Sequence, residues 1–121
     1  MIKRRLIAFS VVFLLVFLIN PVSARGREFI VKPFQESIES VELGVSDEVV
    51  GNLSVSNGFI DFYITSPSGT ILFCYNQTAF NTFSFTAEEK GVFTFHLANT
   101  YQTENVEVIL NYGVNFKVVL Q

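Results

Sequence analysis

Few side chains in this sequence could do chemistry, and their spacing argues against most reactions. His96 is the only histidine and Cys74 the only cysteine. Zinc takes three or four protein ligands, so this pair makes no site by itself. A histidine base needs a nucleophile on one side and an orienting group on the other. No Ser-His-Asp order, Gly-rich phosphate loop or Cys-x-x-Cys supplies them. Alternation puts His96 on the face opposite Phe93, Phe95 and Leu97, a structural position. Asp47, Glu48 and Asp61 carry the oxygens that calcium prefers, but Ca²⁺ wants about six to eight and no acid-rich loop gathers them. Asp61 follows a tight turn and is expected to bond local backbone donors. Glu88 and Glu89 are neighbours in a turn, whereas glycoside hydrolysis needs two acids facing across a cleft. The expectation is no catalytic residue, no metal and no cofactor.

The elements that would hold these residues are strands. Ile60, Phe62 and Ile64 alternate with Asp61, Tyr63 and Thr65, and the zigzag resumes at Ile71-Phe73-Tyr75, Phe83-Phe85-Ala87 and Phe93-Phe95-Leu97. Period-two alternation gives each strand one buried and one wet face. Earlier strands are expected at 28–31, closed by Pro33, at 37–44 with Val41, Leu43 and Val45 on one face, and at 47–56, where Gly51 marks a bulge or close approach. Asn57-Gly58 is a strong hairpin signal. Val106 to Tyr112 form another strand, Gly113 a kink, and Val114 to Leu120 a last strand that could be a sheet edge. The fold class that follows is all-β: an antiparallel, jelly-roll-like β-sandwich of about eight strands.

The first segment stands apart. Lys3, Arg4 and Arg5 precede a fourteen-residue run, Leu6 to Ile19, broken only by Ser10, and Val22-Ser23-Ala24 offers small residues to signal peptidase. This is the pattern of a secretory signal peptide, residues 1–24, followed by one domain, 25–121. Left uncleaved, it would tether the chain to a membrane. Residues 25–121 hold five basic and eleven acidic side chains, a net charge of −6. That sign argues against nucleic acid. Eleven Phe fall in this domain, and their burial is the main expected source of stability, at about 1.5–3 kcal/mol each. Cys74, lacking an intramolecular partner, is expected to be a small buried or half-buried side chain, or a link between chains. Asn52-Leu53-Ser54 and Asn76-Gln77-Thr78 are sequons, giving Asn52 and Asn76 as candidate glycosylation sites on accessible positions.

Two landmarks carry a family resemblance. One is Gly58-Phe59-Ile60-Asp61-Phe62-Tyr63-Ile64-Thr65-Ser66-Pro67-Ser68-Gly69. The other is Phe83-Ser84-Phe85-Thr86-Ala87 followed by Gly91-Val92-Phe93-Thr94-Phe95-His96-Leu97-Ala98-Asn99. Together they resemble the Golgi-dynamics (GOLD) domain, the lumenal β-sandwich of emp-type cargo receptors, over roughly residues 28–120. The resemblance implies the fold, a structural role for Asn99 and a tendency to bind proteins. The family's usual disulfide is absent, because His96 stands where its second cysteine would be and Cys74 matches neither position. The cargo receptors' coiled coil, C-terminal membrane span and coat-binding tail are not in this sequence, so their trafficking role is not implied.

The expected function is a non-enzymatic, extracytoplasmic protein-binding module, secreted or membrane-tethered. Its partner is another protein or a second copy of the chain. Phe59, Tyr63, Leu72 and Ile109 alternate with core positions and would form a partner surface if they cluster. The alternative is a carbohydrate-binding β-sandwich module, against which the absence of Trp counts.

Overall fold

The alternating segments form eight strands: β1 (Val22–Val31), β2 (Glu36–Leu43), β3 (Glu48–Val55), β4 (Ile60–Thr65), β5 (Ile71–Thr78), β6 (Phe80–Thr86), β7 (Gly91–Ala98) and β8 (Val106–Asn115). The computed structural model describes residues 22–117. Two antiparallel four-stranded sheets stand in the orders β1-β8-β3-β6 and β2-β7-β4-β5. This is the double Greek key of a jelly roll, and no helix occurs among the described residues. The signal-peptide segment through residue 21 and the expected strand residues Val118 to Leu120 lie outside the described residues. Val22–Ala24, at the expected cleavage boundary, pair with Gly113–Asn115 as part of β1.

Phenylalanines supply the core, and they interdigitate. Phe62 of β4 lies 5.4 Å from Phe83 of β6, Phe83 lies 5.6 Å from Phe95 of β7, and Phe95 meets Tyr112 of β8 edge-on at 5.0 Å. Each contact joins one sheet to the other. Offset and edge-on aromatic pairs of this kind add roughly 0.5–1.5 kcal/mol beyond their buried area. Gly51 of β3 leaves the room for this packing. A Cβ there would come 2.5 Å from both the Asn111 carbonyl and Phe83 Cζ. Close approach, one of the two expectations for Gly51, is therefore its role, and β3 runs through it without a register shift.

Several local expectations are corrected by topology. Only β4 and β5 form a same-sheet hairpin; the other connections cross between sheets. Asn57-Gly58 is one such crossing. Asn57 Oδ1 accepts the Glu107 amide at 2.8 Å and its Nδ2 donates to the Asn105 carbonyl at 2.9 Å, so the turn is committed to β8 rather than to a hairpin. The last strand is no edge: β8 runs unbroken through Gly113 between β1 and β3. β1 takes the edge instead, because residues 22–27 extend it to pair along the whole of β8. Val45 sits in an exposed turn. Cys74 is exposed, since it faces outward on the edge strand β5. In β5, register shifts opposite Asp61 and between Ile64 and Thr65 send Ile71 to the surface while Phe73 and Tyr75 still pack on the core.

The two long sides of the sandwich are closed differently. Between β1 and β2 a buried carboxylate, Glu39, accepts the Tyr112 hydroxyl at 2.8 Å and lies 3.4 Å from Arg27 Nε. Between β5 and β6 no such group intervenes among the described residues, and Phe73 and Phe85 are only half-buried.

Gly51→Ala should destabilise the domain by about 2 kcal/mol or more, since backbone and ring atoms must shift; denaturant unfolding measures it. Tyr112 gives a pH prediction. Burial, then the hydrogen bond and negative charge of Glu39, push its hydroxyl from 10.0 up to about 12. The folded state keeps a proton that the unfolded state releases. This contribution is therefore complete below pH 10 and is lost as pH rises towards about 12. Relative to Tyr112→Phe, the wild type should lose stability across that window by at most about 1.4 kcal/mol per pH unit. A constant difference between the two would refute it.

Candidate functional site

At one end of the sandwich the β1–β2, β3–β4 and β7–β8 connections meet. Pro33 has no amide hydrogen to continue β1, and the chain turns, with Gln35 N donating to Lys32 O at 3.1 Å. Phe34 occupies this turn at φ 60°, in the left-handed region that bulky residues rarely adopt. Its amide donates to Asn99 O at 2.8 Å, and its ring is 75% exposed.

Asn99, fully buried, is the node of this end. Its Nδ2 donates to Val31 O at 3.0 Å and to Glu104 O at 2.9 Å, and its Oδ1 accepts Gln102 N at 3.4 Å. Its own amide donates to Gln35 O at 2.9 Å. One side chain thus satisfies backbone groups of both the β1–β2 and the β7–β8 connections. Gln102 extends the network, its Oε1 accepting the Phe59 amide at 3.2 Å. Gly58, at φ 147°, lets the chain pass, since a Cβ there would meet that same Oε1 at 2.9 Å.

Asp61 fixes the outer part of the β7–β8 connection. It accepts the Tyr101 hydroxyl at 2.6 Å, the Thr100 hydroxyl at 3.0 Å and the Gln77 amide, freed by the β5 bulge, at 2.9 Å. Partial burial alone would raise its pKa, but these three donors outweigh it and hold the carboxyl below 3.8. The donors are therefore largely non-local, which corrects the expectation of neighbouring backbone groups. Phe59 is 42% and Tyr101 43% exposed. Three loops, bonded to one another, each carry an outward aromatic ring.

The other residues singled out by sequence lie elsewhere. Tyr63 is on the outer face of β4, stacked on His96 with centroids 4.2 Å apart and bonded to Glu36. Both ring nitrogens of His96 have partners, Glu36 on Nδ1 and the Thr65 hydroxyl 2.9 Å from Nε2. Leu72 sits at the β5 bulge by the open side, and Ile109 faces outward from the opposite sheet. Phe59, Tyr63, Leu72 and Ile109 thus do not form one patch, because alternation fixes a face within a strand but not which sheet the strand joins. Asn76 is exposed and Asn52 half-buried on the central strand β3. Asp47 spends its carboxylate on the Gly44 and Lys117 amides, at 2.7 and 2.9 Å, while Glu48 meets Lys117 Nζ at 3.7 Å. No group of three or more His, Cys, Asp or Glu among the described residues is placed to hold a metal. Sequence reasoning missed Phe34 and Tyr101; the available signal was a bulky aromatic in a turn rather than at a strand position.

Acid should loosen this end. With Asp61 held below 3.8 when folded, its contribution is present above that value and is lost as pH falls through the folded pKa. Amide exchange at residues 100–102 should therefore accelerate on acidification in the wild type relative to the base rate. In Asp61→Asn it should already be fast at neutral pH. Equal protection in both proteins would refute the role of Asp61.

No family model matches the chain, and no curated protein matches it. Among solved structures, a Bacillus endospore appendage, from a family of disulfide-linked pili, superposes with TM-score 0.59 and 8% identity over 83% of this chain and 89% of that one. PliG of Aeromonas hydrophila, a periplasmic inhibitor of g-type lysozyme, superposes with TM-score 0.56 and 8% identity over 77% of this chain and 85% of that one. At such identity the likeness is one of fold.

Proposed function

We propose that this chain is a non-enzymatic, extracytoplasmic protein-binding module of GOLD-like type that meets its partner with the Phe34–Phe59–Tyr101 end. The observation that carries this is the set of three exposed aromatic rings on loops already tied together through Asn99, Gln102 and Asp61. Aromatic anchors dominate protein interfaces, and loops ordered before binding lose less entropy on association. The two GOLD-like landmarks support the reading, since Gly58, which opens one, and Asn99, which closes the other, converge here through Gln102. The signal-type N-terminal sequence supports an extracytoplasmic site of action. So does likeness to a periplasmic inhibitor and a spore-surface pilin, the former a protein that acts on another protein and the latter one that assembles with itself.

A second reading, carbohydrate binding, rests on a different surface. The outer face of the β1-β8-β3-β6 sheet holds an open trough of about 740 Å³. Gly26 and Gly113 contribute no side chains, and Asn52, Asn111, Thr82 and Ser84 offer neutral amides and hydroxyls. Such groups suit a polyol.

The triple substitution of Phe34, Phe59 and Tyr101 by Ser should leave the thermal midpoint of unfolding nearly unchanged, because these rings are outside the core. It should weaken capture of the partner, or self-association in sedimentation, by at least about a hundredfold, as loss of hot-spot aromatics does. Unaltered association would refute the loop-end reading. Binding on a glycan array that Asn52→Ala and Asn111→Ala abolish would favour the trough.

A further inference from the structure

At the end opposite these loops, the open β5–β6 side deepens into a cavity of about 400 Å³. Leu72, Phe73, Phe85 and Phe93 line it with apolar surface, and Glu88 and Glu89 stand with them at the β6–β7 turn. Ring contacts organise the floor: Phe73 and Phe85 are 6.2 Å apart and inclined at 53°, and Phe85 and Phe93 are 5.6 Å apart. The mouth is held by two turns that touch. Ser68 donates to Glu89 Oε2 at 2.9 Å, and Pro67 packs so closely on Gly91 that a Cβ there would lie 2.8 Å away. Lys90, in the same turn, is exposed and does not line the cavity.

We infer that this cavity is a binding site for an alkylammonium group. Aromatic faces attract a cation through their quadrupole, best when water is excluded. The carboxylates of Glu88 and Glu89 supply a matching negative field beside the aromatic floor. An anion would be repelled by both acids. A purely apolar ligand would strip water from the carboxylates without replacing their interactions. A bare divalent ion would find two acids where it needs about six oxygens. An alkylated ammonium satisfies both halves of the site, its methylenes on the phenylalanines and its charge towards the acids. The volume lies within the usual range of small-ligand pockets, about 300–1,000 Å³. The inference does not rest on the loop-end reading.

The test is an NMR titration of the full folded domain with three probes: choline, its neutral tert-butyl isostere dimethylbutanol, and Nα-acetyl-lysine methylamide. Choline should shift the Leu72, Phe73, Phe85 and Phe93 signals saturably, and dimethylbutanol should bind at least about tenfold more weakly. The Glu88→Gln, Glu89→Gln double variant, altered only on the surface, should lose about tenfold in choline affinity while keeping its affinity for dimethylbutanol. Phe73→Leu should weaken choline further, with folding checked by the unchanged Asn99-end amides. Stronger binding of the lysine derivative would assign the site to a protein side chain, and stronger binding of choline to a free quaternary amine. Equal affinity for choline and dimethylbutanol, shifts elsewhere on the molecule, or indifference to the double variant would overturn the inference.

Discussion

One buried primary amide organises the functional end of this domain. Asn99 has no access to water, so each of its polar atoms must find a partner inside the protein. It finds them in the backbone of Val31, Glu104 and Gln102, which belong to segments far apart in sequence. The cost of leaving such a group unpaired, about 1–3 kcal/mol for each lost hydrogen bond, fixes where the β1–β2 and β7–β8 connections run. Gln102 and Asp61 carry that order outward to Phe59 and Tyr101. The exposed rings are therefore held by polar bonds rather than by packing, which leaves their apolar faces free for a partner.

The two long sides of the sandwich complete the division of labour. On the β1–β2 side, the Glu39 carboxylate, the Tyr112 hydroxyl and Arg27 bridge the sheets. Water has little reason to enter, and the groups that would open the side are bound to one another. On the β5–β6 side the core is finished only by half-buried rings, and a cavity remains. A jelly roll must leave two pairs of edges where its sheets part. Here one pair is locked by polar contacts and the other is left concave and acidic at its mouth.

Much of the fold was legible in the sequence. The alternation of Phe, Ile, Leu and Val located every strand after β1 to within about two residues, and the aromatic content named the core. The all-β sandwich followed from that. The candidate site was less legible. Phe59 was singled out by alternation, yet its companions Tyr63, Leu72 and Ile109 lie on other surfaces. Phe34 and Tyr101 escaped because they occupy turns, where alternation says nothing. Glu39 escaped because a single acid at an inward strand position looks like an ordinary surface residue until Arg27 and Tyr112 are seen beside it.

Sequence by itself determined which residues turn inward, since that depends on neighbours two positions apart and on the cost of exposing apolar surface. It also determined that His96 and Cys74 have no second histidine or cysteine to join. Tertiary structure alone decided which strands share a sheet, that Asn57-Gly58 crosses between sheets instead of closing a hairpin, and that three distant loops meet around Asn99. The physical reason is that a turn's local geometry serves a hairpin or a crossing almost equally well, and the choice is made by long-range pairing and by buried polar groups that must find partners from elsewhere in the chain.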